Sequence, residues 1–480
     1  MRLEERINEI KENLSNSIDI EQRMLHCKGQ VAALLYLKTL CDEQKIVREI
    51  ITPLQRLERG SPVHVVRSVN ILVKQDVEQV IKQLLQGWVL LLLENEKNNY
   101  LFAALKEEAR EAVEPENERI VRGPHQGFTE NILKNLSLIR RQIQSKHLHL
   151  STFYLGKDTH TQVVVAYMKN LANPILIKKV KKRITSIKVD QLLPGYLEEF
   201  IEESPASPFP QLLNTERTDR VIANLMEGRV AIFIDGDPSV LIAPVSLFTF
   251  YQSTDDYHSR WQVSSFLRII RLISFFLAFQ LPAIYIAMVS FHPEMLPLNL
   301  TYNIQGSLRQ IPFHPLIEAA IMELTLELIR EAGIRLPSRV GQTIGIVGGL
   351  VIGDAVVNAG YISYTMIIIV AITAIASFIV PTQEMSNAVR LLRFPMMFAA
   401  AVLGLVGITF GTMILVIHLC RLESFGLPYF EPFSPLRLKE WKDAVFRFPV
   451  WSLKERSNQP EPLRKKQVES SRRWGHDQSE

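Results

Sequence analysis

Apolar residues are distributed unevenly along the chain, and their spacing changes near residue 261. Before this point short apolar runs alternate with charged residues, as expected for the strands and amphipathic helices of an α/β region. Between residues 261 and 432 the apolar runs reach the length that a helix needs to cross a hydrocarbon core. The pattern therefore predicts a multidomain protein, in which an N-terminal α/β region precedes a polytopic α-helical membrane domain.

The α/β region repeats one order of predicted elements. Residues 30–38 and 162–169 each predict a strand that is followed by a helix. Residues 81–104 and 222–244 each predict a helix, a glycine, a strand, a polar turn and a second strand. Two occurrences of the same order predict two related modules that arose by duplication.

Composition shifts predict the domain boundaries. The first 25 residues are charged and helix-like, without the apolar region of a secretory signal, so we expect the soluble modules to be cytoplasmic. Residues 107–128 are charged and contain prolines, which predicts a linker that leads into a helix over 129–144. The predicted divisions are an N-terminal α/β module, a second module with its linker helix, a membrane domain, and a basic cytoplasmic tail that is partly disordered: residues 1–113, 114–260, 261–432 and 433–480.

The membrane domain contains four strongly apolar stretches, over residues 266–291, 340–357, 362–381 and 394–419. Arg268 and Arg271 lie at the start of the first stretch, which predicts a cytoplasmic start by the positive-inside rule. If each of the four stretches crosses the membrane once, the tail lies in the cytoplasm as well. This topology places Arg390 and Arg393 of the predicted 382–393 loop on the outer side, against the same rule. Gly404, Gly407 and Gly411 predict close helix packing in the last stretch.

A glycine ladder distinguishes the second apolar stretch. Four glycines spaced four residues apart fall on one helical face: Gly341, Gly345, Gly349 and Gly353. Beside this face lie Gly348, the apolar Ile352 and one acid, Asp354. One interpretation is close packing alone. The other is a helix that lines a pore, because an acid at membrane depth faces protein, water or an ion rather than lipid.

The segment 316–333 carries an acidic stripe. Glu323, Glu327 and Glu331 are spaced four residues apart and lie on one helical face. Three acids on one face are too costly to expose to lipid. We expect either an interfacial or re-entrant helix whose acids face water, or a vestibule that attracts cations beside a pore.

Composition excludes several classes of function. The net charge of +4 is modest for 480 residues and does not indicate nucleic acid binding. The three cysteines are scattered without a CxxC pair, so neither a disulfide framework nor a zinc site is expected. The basic run from Lys178 to Arg183 is typical of a solvated helix face, with anionic lipid or nucleic acid as the alternative ligand. No P-loop, dinucleotide fingerprint or nucleophile elbow is present, so we expect no catalytic residues, no cofactor and no metal.

Ordered motifs between about residues 115 and 430 resemble a known family. They include IVRGPHQGF, SPFPQLLNTERTDRV, EGRVAIFIDGDPSVLIAP, GQTIGIVGGLVIGDAVV and SFGLPYF. The set resembles the A subunits of bacterial spore germinant receptors, the GerA family. Two positions depart from the family pattern: Asp354 stands where the family often has glutamine, and Thr218 where it has proline.

The resemblance implies a multi-pass protein of the spore inner membrane. It implies partnership with a transporter-like B subunit and a lipoprotein C subunit, and a homo-oligomeric ring that releases cations when nutrients bind. On this hypothesis the 340–358 helix lines the path, and Glu323, Glu327 and Asp354 concentrate cations. The alternatives are a non-conducting scaffold that transmits signals, a stage V sporulation AF-type paralogue that shares the fold, and, least favoured, a membrane enzyme.

Overall fold

The computed structural model describes residues 2–57, 60–66, 70–106, 115, 118, 120, 122–309, 311–335 and 353–467. Ten strands in this part of the chain form two five-stranded antiparallel sheets. The first sheet contains β1 Ile20–Cys27, β2 Gln30–Leu37, β3 Ile71–Lys74, β4 Trp88–Leu93 and β5 Asn99–Ala103. The second contains β6 Leu148–Leu155, β7 Thr161–Met168, β8 Leu213–Thr215, β9 Val230–Ile234 and β10 Val240–Ala243.

The two sheets have the same strand order and the same register. The order is β1-β2-β4-β5-β3 in the first sheet and β6-β7-β9-β10-β8 in the second. Leu35 of β2 pairs with Leu90 of β4, and Ala166 of β7 pairs with Ala231 of β9. The strands expected at 30–38 and 162–169, and both hairpins with their polar turns, are confirmed. The sequence repeat thus corresponds to a structural repeat.

Helices cover both faces of each sheet, because the central strands are apolar on both faces and cannot be left in water. In the first module the helices are Leu3–Asn13, Glu43–Lys45, Thr52–Gln55, Pro62–Val65 and Val77–Leu84. A π-helical turn, Ile46–Ile51, joins the second of these helices to the third. In the second module they are Ile132–Gln142, Pro174–Ser186, Pro194–Ile201 and Thr218–Glu227, followed by the short turns Leu247–Phe250 and Asp255–His258.

Several boundaries differ from the expectation. The first helix ends at Asn13, and β1 occupies part of the charged stretch that was expected to be helical. The helix expected after the linker is confirmed over Ile132–Gln142, where the Asn131 side chain accepts a hydrogen bond from the Lys134 amide. The segment after the first apolar stretch, residues 292–315, contains a 3-10 turn Pro293–Met295 and a helix Leu298–Leu308.

The apolar helices follow the second module. We name them the first apolar helix Trp261–Phe291, the acidic helix Pro315–Arg335, the short apolar helix Tyr364–Ile379 and the bent helix Gln383–Arg421. By length and composition, the first apolar helix and the bent helix are long and apolar enough to cross a membrane. The predicted span over 340–357 lies outside the described residues, apart from the helix Gly353–Asn358. Four crossings therefore remain a prediction.

The bent helix reverses direction at Gly404. The backbone angles there are φ 60° and ψ −139°, which side-chain-bearing residues avoid. A Cβ on Gly407 would overlap the Ala399 carbonyl oxygen, and one on Gly411 would lie 2.6 Å from the sulfur of Met396. Residues 8 to 15 apart come this close only if the two arms fold back on each other. The predicted 382–393 loop and single 394–419 span are therefore wrong, whereas close packing at these glycines is confirmed.

Both ends of the bent helix lie near the second module. The Thr382 hydroxyl donates to the Phe250 carbonyl at 3.4 Å, and Ser207 shares a 2.8 Å hydrogen bond with His418. The reversal at Gly404 lies against Phe291, the last residue of the first apolar helix. The hairpin thus extends away from the sheets and returns to them.

One buried cluster joins the second module to the apolar helices. It contains Leu136 and Val221 of the module together with Phe279 of the first apolar helix and Met366 of the short apolar helix. A continuous core resists independent movement of its parts, because separating them exposes apolar surface to water. The helices and the second module are therefore packed as one unit.

The described part of the tail folds onto the second module. It contains short turns at Leu438–Glu440, Trp441–Ala444 and Val450–Ser452. Arg456 donates to the Met226 carbonyl at 2.8 Å, and the Leu463 amide donates to the Leu171 carbonyl at 2.9 Å. The described tail, through residue 467, is therefore packed against the second module, and the end of the tail, for which disorder is predicted, lies outside the described residues.

Candidate functional site

The glycine ladder lies almost wholly outside the described residues. Five of its seven predicted site residues fall in this gap: Gly341, Gly345, Gly348, Gly349 and Ile352. Gly353 and Asp354 begin the helix Gly353–Asn358. A pore role for these residues therefore remains a prediction.

The acidic stripe meets arginines from the bent helix. Glu323 is buried and forms an ion pair with Arg393, which is also buried. The Arg393 Nε also donates to the Ala278 carbonyl of the first apolar helix at 2.7 Å. One guanidinium thus connects three helices, and it compensates a carboxylate that would be very costly to bury alone.

The compensation weakens along the stripe. Glu327 pairs with Arg390 at 2.5 Å, with both side chains partly buried. Glu331 pairs within its own helix with Arg335 at 2.6 Å, and both side chains are largely exposed. The stripe is therefore buried at Glu323 and exposed at Glu331. Arg330 of the same helix lies over the Phe378 ring, with its guanidinium carbon 4.3 Å from the ring centroid.

A fourth acid of the same helix, Glu318, is held differently. It is fully buried and accepts hydrogen bonds from both the backbone amide and the hydroxyl of Ser363, each at 2.5 Å. Ser363 caps the N-terminus of the short apolar helix. The partial positive charge of a helix N-terminus stabilises a carboxylate at this position. Glu318 therefore connects the acidic helix to the short apolar helix.

A second network lies at the base of the first apolar helix. Arg268 and Arg271 each donate to the buried carboxylate of Asp256 at 2.8 Å. Arg268 also pairs with Asp443 of the tail at 3.1 Å. Since Asp256 belongs to the end of the second module, these contacts connect the module, the first apolar helix and the tail.

Sequence patterns identified the acids and missed their partners. Arg390 and Arg393 stand out as cations in an otherwise apolar stretch, and this is the available signal. Their pairing with Glu327 and Glu323 depends on contacts between residues more than 60 positions apart. No local periodicity encodes such contacts.

The arrangement holds ionised side chains in pairs and shields them from the apolar surroundings. Within the described ranges, no group of three or more histidine, cysteine or acidic side chains is placed to hold a metal ion. What the geometry provides is a row of paired charges between apolar helices. Within a membrane-spanning helix, paired ionisable residues mark ion and proton pathways.

Comparison with known proteins places this architecture in a family. Residues 8–459 match the Bacillus/Clostridium GerA spore germination protein family. The chain belongs to the GerA family. The match covers both modules, the apolar helices and most of the described tail, and it confirms the resemblance seen in the sequence motifs.

Relatives of this GerA-family chain include two proteins of Bacillus subtilis (strain 168). Uncharacterized membrane protein YfkQ is 42% identical over 388 residues, covering 81% of this chain and 76% of YfkQ. Spore germination protein KA is 37% identical over 488 residues, covering 99% of this chain and 89% of that protein. The crystal structure of the N-terminal domain of the A subunit of the Bacillus megaterium spore germinant receptor GerK3 is 30% identical, with a TM-score of 0.39, and covers 51% of this chain and 94% of that domain.

Proposed function

We propose that this GerA-family chain is the A subunit of a spore germinant receptor and forms an oligomeric, nutrient-gated cation channel. On this proposal it crosses the spore inner membrane several times, with its modules in the cytoplasm, and it works with a transporter-like B subunit and a lipoprotein C subunit. The observation that carries the proposal is the buried pair of Glu323 and Arg393 between apolar helices. Ionised groups are rarely kept at membrane depth without a functional role.

The path would run beside the 340–358 helix. Its glycines permit close helix approach, and a change between two packings of that face would open or close the path. Asp354 and the exposed end of the acidic stripe at Glu331 would raise the local concentration of cations. The paired acids nearer Glu323 would hold the neighbouring helices in place.

Potassium release tests the proposal. Liposomes would contain this chain with its B and C subunits, and efflux would be recorded with and without candidate nutrients. We expect nutrient-dependent efflux that Gly349→Leu abolishes, because a bulky side chain blocks close approach. Gly306→Leu is the matched control, since a Cβ on Gly306 meets no atom within 4 Å.

A non-conducting scaffold is the second candidate. The continuous core and the Asp256 network favour it, because they connect the second module rigidly to the apolar helices. A scaffold would transmit a signal from the B subunit to cytoplasmic partners without conducting ions. An assembled, nutrient-binding complex that releases no potassium would favour this candidate over the channel.

A further inference from the structure

A groove of 590 Å³ runs along the basic helix Pro174–Ser186 on the second module. Its floor and rim include Tyr167, Lys169, Ile177, Lys178, Lys181 and Lys182. The volume lies in the range of small-molecule sites, and the lining combines apolar surface with a few charged groups, as such sites do. The groove shares no lining residue with the ion pairs of the apolar helices, and the proposed channel does not use it.

The charge of the groove is uncompensated. Four ammonium groups line it, no carboxylate lines it, and none of the four forms an ion pair within the part of the chain that the structure describes. The other cations of the helix are engaged elsewhere: Arg183 pairs with Glu203 at 2.5 Å, and Lys179 donates to the Phe425 carbonyl at 3.1 Å. Four like charges around one cavity attract an anion.

One of the four ammonium groups is held in place. Lys181 donates to the Ser151 hydroxyl at 2.7 Å and to the Tyr167 hydroxyl at 3.2 Å, and it lies 5.1 Å from the centre of the Tyr167 ring. His149 is a second neighbour of that ring, at 4.9 Å between ring centroids. A pre-positioned cation loses little conformational freedom when a ligand binds, which strengthens binding.

The histidine connects this floor to the first module. His149 Nδ1 lies 2.8 Å from the Ser15 carbonyl oxygen, which accepts its hydrogen bond when Nδ1 is protonated. Burial, and then the charges of Lys181 and Lys169, lower the pKa of His149. A bound anion would oppose the effect of those charges. An anion in the groove would therefore change the protonation of His149, whose ring contacts Ser15 of the first module.

The duplicated fold provides an internal comparison. Asp42 caps the equivalent helix of the first module as Asn173 caps the basic helix, and each cap follows a tyrosine, Tyr36 or Tyr167, by six residues. The buried positions fix the register of the two helices, because Ile46, Ile50 and Leu54 match Leu176, Val180 and Ile184. Lys178, Lys181 and Lys182 then correspond to Arg48, Ile51 and Thr52. The fold itself therefore does not require a lysine at the position of Lys181.

We propose that this groove binds a small anion that carries phosphate or carboxylate groups. The ammonium groups would hold the charged part, and the Tyr167 ring and Ile177 would contact an apolar part. A solvated lysine face would explain the exposed side chains. It does not explain a cavity with a half-buried lysine that is hydrogen-bonded at its floor, at a position where the first module has Ile51.

The test is a titration of the full chain in phosphatidylcholine nanodiscs, with pyrophosphate and citrate as separate probes and calorimetry as the readout. We expect saturable binding at one site per chain. Lys178→Gln with Lys182→Gln should weaken it at least tenfold. The control, Lys188→Gln with Lys439→Gln, removes two exposed lysines that do not line the groove and should change it less than twofold.

Phosphatidylglycerol vesicles form the second arm, because a lipid headgroup also carries phosphate. Competition between the vesicles and pyrophosphate would identify a headgroup as a source of the anion, and pyrophosphate binding without competition would identify a soluble one. The proposal is overturned if no probe binds saturably. It is equally overturned if the control pair weakens binding as much as the groove pair, since binding would then reflect net charge alone.

Discussion

Arg140 of the second module donates two hydrogen bonds to the carboxylate of Asp19 in the first module, at 2.8 and 3.0 Å. Both side chains are buried, and Asp19 also accepts from the Thr39 hydroxyl at 3.0 Å. Burial acts to raise the pKa of Asp19, but the charge of Arg140 and these hydrogen bonds outweigh it, so the pKa lies below its usual range. This is the main charged connection between the modules.

Replacing Asp19 with asparagine should destabilise the chain by about 3 to 5 kcal/mol, because it leaves the Arg140 guanidinium buried without a counter-charge. Thermal unfolding of the detergent-solubilised chain would measure this. The lowered pKa adds a pH dependence: the stabilisation is present above the ordinary value of 3.8 and is lost as pH falls through the folded-state value. The difference between wild type and variant should therefore shrink as pH falls from 7 to 3. A constant difference over this range would contradict the assignment.

Arg393→Leu should destabilise the packing of the apolar helices by about 3 to 5 kcal/mol, since it leaves the buried Glu323 unpaired. Arg335→Leu is the matched control, because its pair with Glu331 is exposed and worth roughly 0 to 1 kcal/mol. Urea unfolding in detergent would compare the two. Equal effects would show that burial of the Glu323 pair carries no special weight. The double variant Arg393→Leu with Glu323→Leu should recover part of the loss.

Gly404→Ala should destabilise the folded hairpin of the bent helix by roughly 1 to 3 kcal/mol, because an L residue is strained at this positive φ. The added methyl group would also meet His292 at 3.0 Å. Gly306→Ala, in open space, should be neutral or mildly stabilising. A disulfide between cysteines placed in the two arms near Ala399 and Gly407 would report the arm contact. Unchanged cross-linking and stability in Gly404→Ala would contradict the hairpin.

Asp354→Leu should lower cation conductance in the reconstituted receptor, because it removes a negative charge that would concentrate cations along the proposed path. Asp354→Glu keeps the charge and should retain conductance. Single-channel or efflux recording at low ionic strength gives the largest contrast, since salt screens the effect. Equal conductance in all three proteins would assign the acid a structural role.

Much of the α/β region could be predicted from local pattern. Strands β2 and β7, both polar hairpin turns and the Asn131-capped helix follow from apolar runs and turn residues, which act over a few positions. The first 25 residues were predicted less well. Their charge and spacing favour a helix throughout, yet Ile20–Cys27 pairs with β2 because the sheet edge offers its backbone hydrogen-bond partners.

In the candidate site, local sequence pattern predicted the acidic residues but not the residues that pair with them. The spacing of Glu323, Glu327 and Glu331 alone placed them on one face of one helix. Whether that face meets water, a pore or counter-charges is a question of which helix packs against it. Arg390 and Arg393 reach the stripe only because the bent helix begins near the second module and runs alongside.

Sequence by itself determined the family of this protein, the duplication of its modules and the concentration of its apolar helices after residue 261. These features depend on residue type and short-range period, which the chain carries locally. The tertiary structure alone decided the reversal at Gly404, the Glu323–Arg393 pair and the core shared by the second module and the helices. Each of these depends on contacts between distant residues, whose free energy exists only once the chain has folded.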